Sequence, residues 1–162
     1  MSKVKILIIE DELIIAESMR LMLENFDYEV TGVASDSLEA LTILSENLPD
    51  IVLVDLMLRN NDDGIELAKS IKQKYGLPII FITSLSDKDT VTRAKEVHPE
   101  GYIVKPFEKN DLYTSIEIAL SNFFQARAKK QDKEEENYFF KDYLFVKKKY
   151  QFEKVRIHDI QW

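Results

Sequence analysis

The chain has 162 residues, 45% of them apolar, and a formal net charge of −7. That composition supports one packed domain of ordinary size with something beyond it, and it excludes global disorder. With no cysteine present, a disulfide scaffold, a thiolate zinc site and a cysteine nucleophile are excluded together.

The longest apolar runs, residues 6–9 and 77–82, are too short to span a bilayer. The N-terminus meets acids directly after a short apolar run and offers no small-residue cleavage site, so it is not a signal peptide. A soluble, cytoplasmic protein without membrane contact is expected. Charge is uneven along the chain. Residues 138–162 hold six Lys/Arg against three Asp/Glu, whereas residues 1–137 hold sixteen against twenty-six. The acidic part should not bind nucleic acid by electrostatics alone.

Residues 4–9 form an apolar run broken only by Lys5, as in a strand buried on both faces. Leu13, Ala16, Met19, Leu23 and Phe26 then repeat at helical spacing. A second strand is predicted over Glu29–Ala34. Ser35 or Asp36 can cap a helix that runs to about Leu48, before Pro49 stops it.

Residues 51–54 make a third strand running into Asp55. Gly64 opens a helix carrying Ile65, Leu67, Ala68 and Ile71, and Gly76 ends it. Residues 78–83 form the fourth strand, and Ser86 or Asp87 caps a short helix ending near His98-Pro99. Gly101–Val104 is the fifth strand. Asn110 can cap a long last helix with Leu112, Ile116, Ala119, Leu120 and Phe123. Five alternations of strand and helix predict an α/β fold, a doubly wound parallel sheet with helices on both faces.

The last helix runs into ARAKKQDKEEEN, residues 126–137, polar after Ala128 and free of Gly and Pro. It reads as a linker or helical extension, its charges a solvated face. Residues 138–162 alternate and are rich in aromatics and lysine, which predicts two β-strands. The pattern reaches Trp162 without a turn signal, as expected of a larger second domain cut short.

In an open parallel sheet, ligands sit beyond the carboxyl ends of the strands. At those ends stand Glu10, Asp11 and Glu12, then Asp55, then Thr83 and Ser84, then Lys105 before Pro106. Carboxylates gathered there repel one another, and a hard divalent cation such as Mg²⁺ relieves the repulsion. Phosphoryl transfer needs a nucleophile, a metal and positive charge on the equatorial oxygens. Asp55 suits the nucleophile, Lys105 the point charge, and the Thr83 hydroxyl a hydrogen bond to the same group. Singly these residues carry little, since an Asp closing a strand is usually a cap and Thr83 or Ser84 can cap a turn.

The motifs IIEDE, VDLML, FITSLSD and GYIVKPF, in this order and spacing over residues 4 to about 124, resemble the receiver domain of two-component response regulators. The resemblance implies a flavodoxin-like sheet of order 2-1-3-4-5 and a receiver domain over residues 1–124. It implies the phosphoacceptor at Asp55 and the metal-binding acidic pair at Glu10 and Asp11. The backbone carbonyl of Met57 would complete the Mg²⁺ shell.

The switch hydroxyl falls on Thr83, the switch aromatic on Tyr102 and the lysine on Lys105, whose bond to Pro106 is typically cis. A Glu at the first acidic position points to ligation through water, and in this family the side chain at the Met57 position tunes dephosphorylation. The resemblance also implies a sensor histidine kinase as partner, and a homodimer through the fourth helix, fifth strand and fifth helix. The domain would be a switch and not a turnover enzyme.

The tract YLFVKKKYQFEKVRIHDIQW, within residues 138–162, resembles the opening strands of the LytTR DNA-binding domain. That implies a transcriptional regulator, with DNA bound only by the full-length protein.

Competing readings are weaker. A haloacid-dehalogenase-type phosphatase needs a second acid where Met57 stands. A flavodoxin or nucleotide-binding domain needs a Gly- or Ser/Thr-rich loop where this chain has acids. A stand-alone receiver adaptor is opposed by the β-rich tail. His98 and His158 read as structural. The lysines at 147–149 read as a solvated strand or turn in preference to a phosphate grip.

Overall fold

The computed structural model describes residues 2–84, 88–131, 139–140, 143–148 and 151–156. Five strands, β1 (Lys5–Ile9), β2 (Glu29–Ala34), β3 (Ile51–Asp55), β4 (Ile79–Thr83) and β5 (Gly101–Val104), alternate with five helices. The helices are α1 (Leu13–Asn25), α2 (Ser37–Glu46), α3 (Gly64–Tyr75), α4 (Lys88–Glu96) and α5 (Lys109–Gln131). All neighbouring strands pair in parallel, in the order β2-β1-β3-β4-β5. Among the described residues, no helix is long and apolar enough to cross a membrane.

Successive side chains of a strand face opposite ways, so β1, β3 and β4 each feed two cores. Ile6, Ile8, Leu53, Ile80 and Ile82 pack with Ala16, Met19 and Leu23 of α1 and Leu112, Ile116 and Leu120 of α5. Leu7, Ile9, Val52, Val54 and Phe81 pack on the other side with Ala40 and Leu44 of α2 and Ile65, Ala68 and Ile71 of α3. Burial on both faces explains why these strands read as continuous apolar runs.

Local chemistry sets the helix ends. The Asp36 side chain, not Ser35, caps α2, accepting a hydrogen bond from the Glu39 amide at 2.8 Å. Asp63 caps α3, accepting from the amides of Ile65 (2.9 Å) and Glu66 (3.3 Å). Gly76 ends that helix at φ +64°, where glycine carries no steric penalty.

Asn110 is not a cap. Helix α5 begins at Lys109, because Asp111 accepts a hydrogen bond from the Glu108 amide at 2.8 Å and so closes the first turn one step earlier. The capping residues expected for α4, Ser86 and Asp87, lie outside the described residues.

Helix α5 continues through residue 124 to Gln131, with no Gly or Pro to stop it. Near its far end Arg127 stacks over the Phe123 ring at 4.6 Å and donates to the Gly76 carbonyl at 3.2 Å. The next described residues form a three-stranded antiparallel sheet, β6 (Phe139–Phe140), β7 (Tyr143–Lys148) and β8 (Gln151–Arg156), in that order. The two strands expected in the tail correspond to β7 and β8, and residues 157–162 lie outside the described residues.

Asp63 also pairs with Arg93 of α4 at 2.5 Å, so one carboxylate caps α3 and ties it to α4. Asp63→Ala should remove about 1–2 kcal/mol. Thermal unfolding followed by circular dichroism should show a fall in Tm of roughly 3–6 °C.

Candidate active site

Backbone hydrogen bonds extend past the strand ends and carry the site residues with them. The Glu10 amide donates to the Ala34 carbonyl at 2.9 Å, Leu56 to Ile82 at 3.1 Å, and Lys105 to Thr83 at 2.7 Å. Glu10 and Asp11 therefore follow β1, Asp55 closes β3, Thr83 closes β4 and Lys105 follows β5, all at one edge of the sheet.

Four of these residues meet directly. Lys105 Nζ lies 2.8 Å from Glu10 Oε2 and 2.8 Å from Asp55 Oδ2. Ligand oxygens of Glu10, Asp11 and Asp55 lie within 4.8 Å of one another. The other Asp55 oxygen, Oδ1, accepts the Met57 amide at 3.0 Å, which fixes the carboxylate plane. Asp11 pairs with Arg59, Oδ2 to Nε 3.0 Å.

Glu10 is 1% exposed. Burial pushes its carboxyl up to about 7, against hydrogen bonds from Lys105 and the Glu12 amide that pull it down. For Lys105, burial opposes the charge, but the hydrogen bonds to Asp55 and Glu10 outweigh it and raise its pKa. Three carboxylates with oxygens this close make a hard-oxygen donor set suited to a divalent cation of the magnesium or calcium class.

Thr83 is buried at the neighbouring strand end, one residue beyond the Asp55–Ile82 pair in register. Tyr102 lies on β5 opposite Phe81, with ring centroids 6.0 Å apart, and is 41% exposed. The Met57 side chain is 73% exposed, while its backbone bridges to Asp63. The Lys105-Pro106 peptide is cis. Beside Lys105 runs an apolar groove of about 430 Å³, bordered by Ile14, Ile15, Met22, Pro106 and Phe107.

Two contributors escaped the sequence reading. Gly64 appeared there only as a helix opener. A Cβ at that position would stand 1.9 Å from the Asp55 carbonyl oxygen, so any side chain would force β3 and α3 apart. Arg59 drew no attention because its partner Asp11 is 48 residues distant; a cation four residues after Asp55 was the available signal.

With this geometry in view, comparison with known proteins is decisive: the response regulator receiver domain family matches residues 6–117. The chain belongs to that family. This receiver is 37% identical over 124 residues to the transcriptional regulatory protein PdtaR of Mycobacterium tuberculosis, covering 76% of this chain and 60% of that protein. It is 34% identical to the DNA-binding response regulator MtrA of Mycolicibacterium paratuberculosis, covering 72% and 51%.

The receiver chain thus spans about half to three-fifths of the length of these relatives. Among solved structures, the signal receiver domain of a modulated diguanylate cyclase from Desulfovibrio desulfuricans is 40% identical. It superposes with a TM-score of 0.72 over 77% of this chain and 99% of that one. Receivers of this family are signalling switches of two-component systems, and the relatives are transcriptional regulators.

Gly64→Ala should cost several kcal/mol by displacing the Asp55 backbone. A large drop in Tm, with shifted amide resonances at 55–57, would register it. The raised pKa of Glu10 also sets a pH dependence. Because its carboxyl titrates higher in the folded chain than the ordinary 4.5, its stabilising contribution is complete below about pH 4.5 and lost as pH rises through about 7. Glu10→Gln should therefore gain stability relative to wild type between pH 5.5 and 8, as read from Tm at each pH.

Proposed function

We propose that this receiver accepts a phosphoryl group on Asp55 from a phosphohistidine of a sensor histidine kinase. Asp55 Oδ attacks phosphorus in line, the P–N bond breaks, and the freed histidine nitrogen takes a proton. The observation that carries this reading is the Asp55 carboxylate, anchored through one oxygen by the Met57 amide and met at 2.8 Å by Lys105. Lys105 already spans Glu10 and Asp55 and supplies positive charge for a phosphoryl oxygen.

Glu10 (through water), Asp11, Asp55 and the Met57 carbonyl would hold Mg²⁺. When bound, that ion would offset negative charge on the transferring oxygens. The apolar groove beside Lys105 suits the docking of a partner helix near the acceptor.

Phosphorylation adds charge next to Thr83, whose hydroxyl turns toward the phosphoryl group, and Tyr102 moves inward from its half-exposed position. These moves bias the face made by α4, β5 and α5, through which two copies pair. The chain catalyses only its own phosphorylation and dephosphorylation. We assign the strand-rich tail to the start of a LytTR-type DNA-binding domain, so that the longer cytoplasmic protein controls transcription. Support for that output comes from the tract VRIHDIQW and from relatives that are transcriptional regulators.

Incubation with acetyl phosphate and Mg²⁺ should add the mass of one phosphoryl group to wild type. Asp55→Asn, and wild type in excess EDTA, should show no gain by intact mass spectrometry. An equal gain in Asp55→Asn would remove Asp55 as acceptor.

A further inference from the structure

We infer that Arg59 is a built-in counter-ion for Asp11 that a divalent cation must displace, so that this exposed side chain sets the metal affinity of the site. The inference rests on the metal-binding reading above and concerns a residue outside the acidic cluster.

Each carboxylate of the cluster has a cation beside it. Lys105 pairs with Glu10 and Asp55, and Arg59 with Asp11 at 3.0 Å. The two cations differ in burial. The Lys105 side chain is 13% exposed and locked between two acids, whereas that of Arg59 is 71% exposed over an Asp11 side chain of 9%. An exposed arm over a half-buried carboxylate can swing into water at little cost, which a half-buried lysine held between two acids cannot do.

The backbone holds Arg59 over the site. Asn60 and Asn61, directly after it, both adopt left-handed conformations, φ 59° and 58°. Asparagine tolerates this region better than most residues, yet two in succession still cost conformational energy. The turn is closed by the Asp62 amide donating to the Arg59 carbonyl at 3.1 Å. The Asp62 carboxylate is anchored in turn by the Ser37 amide at 2.6 Å and the Ser37 hydroxyl at 2.5 Å, at the start of α2. A strained turn pinned to a neighbouring helix thus delivers a guanidinium to one metal-binding acid.

Mg²⁺ titrations of wild type, Arg59→Ala, Arg59→Lys and Asp11→Asn, at constant ionic strength and without phosphoryl donor, test this. Calorimetry gives the affinity, and the Arg59 Nε–Hε NMR resonance reports the ion pair itself. Arg59→Ala should bind Mg²⁺ about threefold or more tightly, the scale of an exposed ion pair. Arg59→Lys should stay within about twofold of wild type.

On saturation with Mg²⁺, the wild-type Arg59 resonance should move to where Asp11→Asn shows it without metal. Equal or weaker binding by Arg59→Ala, or a resonance that Mg²⁺ leaves in place, would overturn the inference. Failure of wild type itself to bind Mg²⁺ would overturn the metal reading and this inference with it. The Arg59–Asp11 pair would then still be visible in the Asp11→Asn comparison, which separates the two failures.

Discussion

One half-buried ammonium organises the carboxyl edge of this sheet. Lys105 reaches from the end of β5 to carboxylates at the ends of β1 and β3, 2.8 Å from each. Charged groups at this depth cost several kcal/mol apiece unless paired. The lysine bridges both acids, yet for Glu10, the most buried of the three, burial still outweighs that pairing. The order β2-β1-β3-β4-β5 makes the meeting possible, because it puts β3 at the centre with β1 on one side and β4 on the other. The strand that bears Asp55 thus adjoins the strand that delivers Glu10, and Lys105 reaches both acids from β5 across the end of β4.

Packing beneath the edge keeps the charges aligned. Every residue of β3 and β4 is buried, so these strands have little room to shift. Gly64 lets α3 begin directly against the Asp55 carbonyl, and Asp63 secures the same helix start to α4 through Arg93. The segment between β3 and α3 is thus held at both ends. A segment so held can carry two left-handed asparagines that would otherwise relax.

Much of this was legible in the chain itself. β1, β3 and β4 were placed to within a residue because burial on both faces leaves continuous apolar runs, and Gly76 marked the end of α3 by its tolerance of positive φ. Glu10, Asp11, Asp55, Thr83 and Lys105 stood out because each follows or closes a strand. Less legible was anything set by contact between distant segments. The cap of α5 turned on which side-chain oxygen accepts from the Glu108 amide, and that is Asp111 and not Asn110. The opening glycine of α3 gave no sign of the carbonyl pressed against it, and Arg59 gave none of the carboxylate 48 positions back. Patterns of periodicity report the face a residue presents, not the partner it finds there.

The length of α5 carries a mechanical consequence. Its 23 residues make a shaft of roughly 35 Å at 1.5 Å per residue. Arg127 pins that shaft to the body of the domain at the Gly76 carbonyl, near its far end. A rigid shaft conveys torsion as well as displacement: each residue advances the azimuth by about 100°. The end of α5 at Gln131 therefore has a definite rotational phase counted from the packed face of the helix. Removing one residue after the Arg127 anchor, within the continuous helix, would turn the helix end by more than a quarter circle. Removing all four residues from 128 to 131 would shorten the shaft by about 6 Å and turn its end by only about 40°. Residue number, and not only residue type, is therefore part of what α5 encodes.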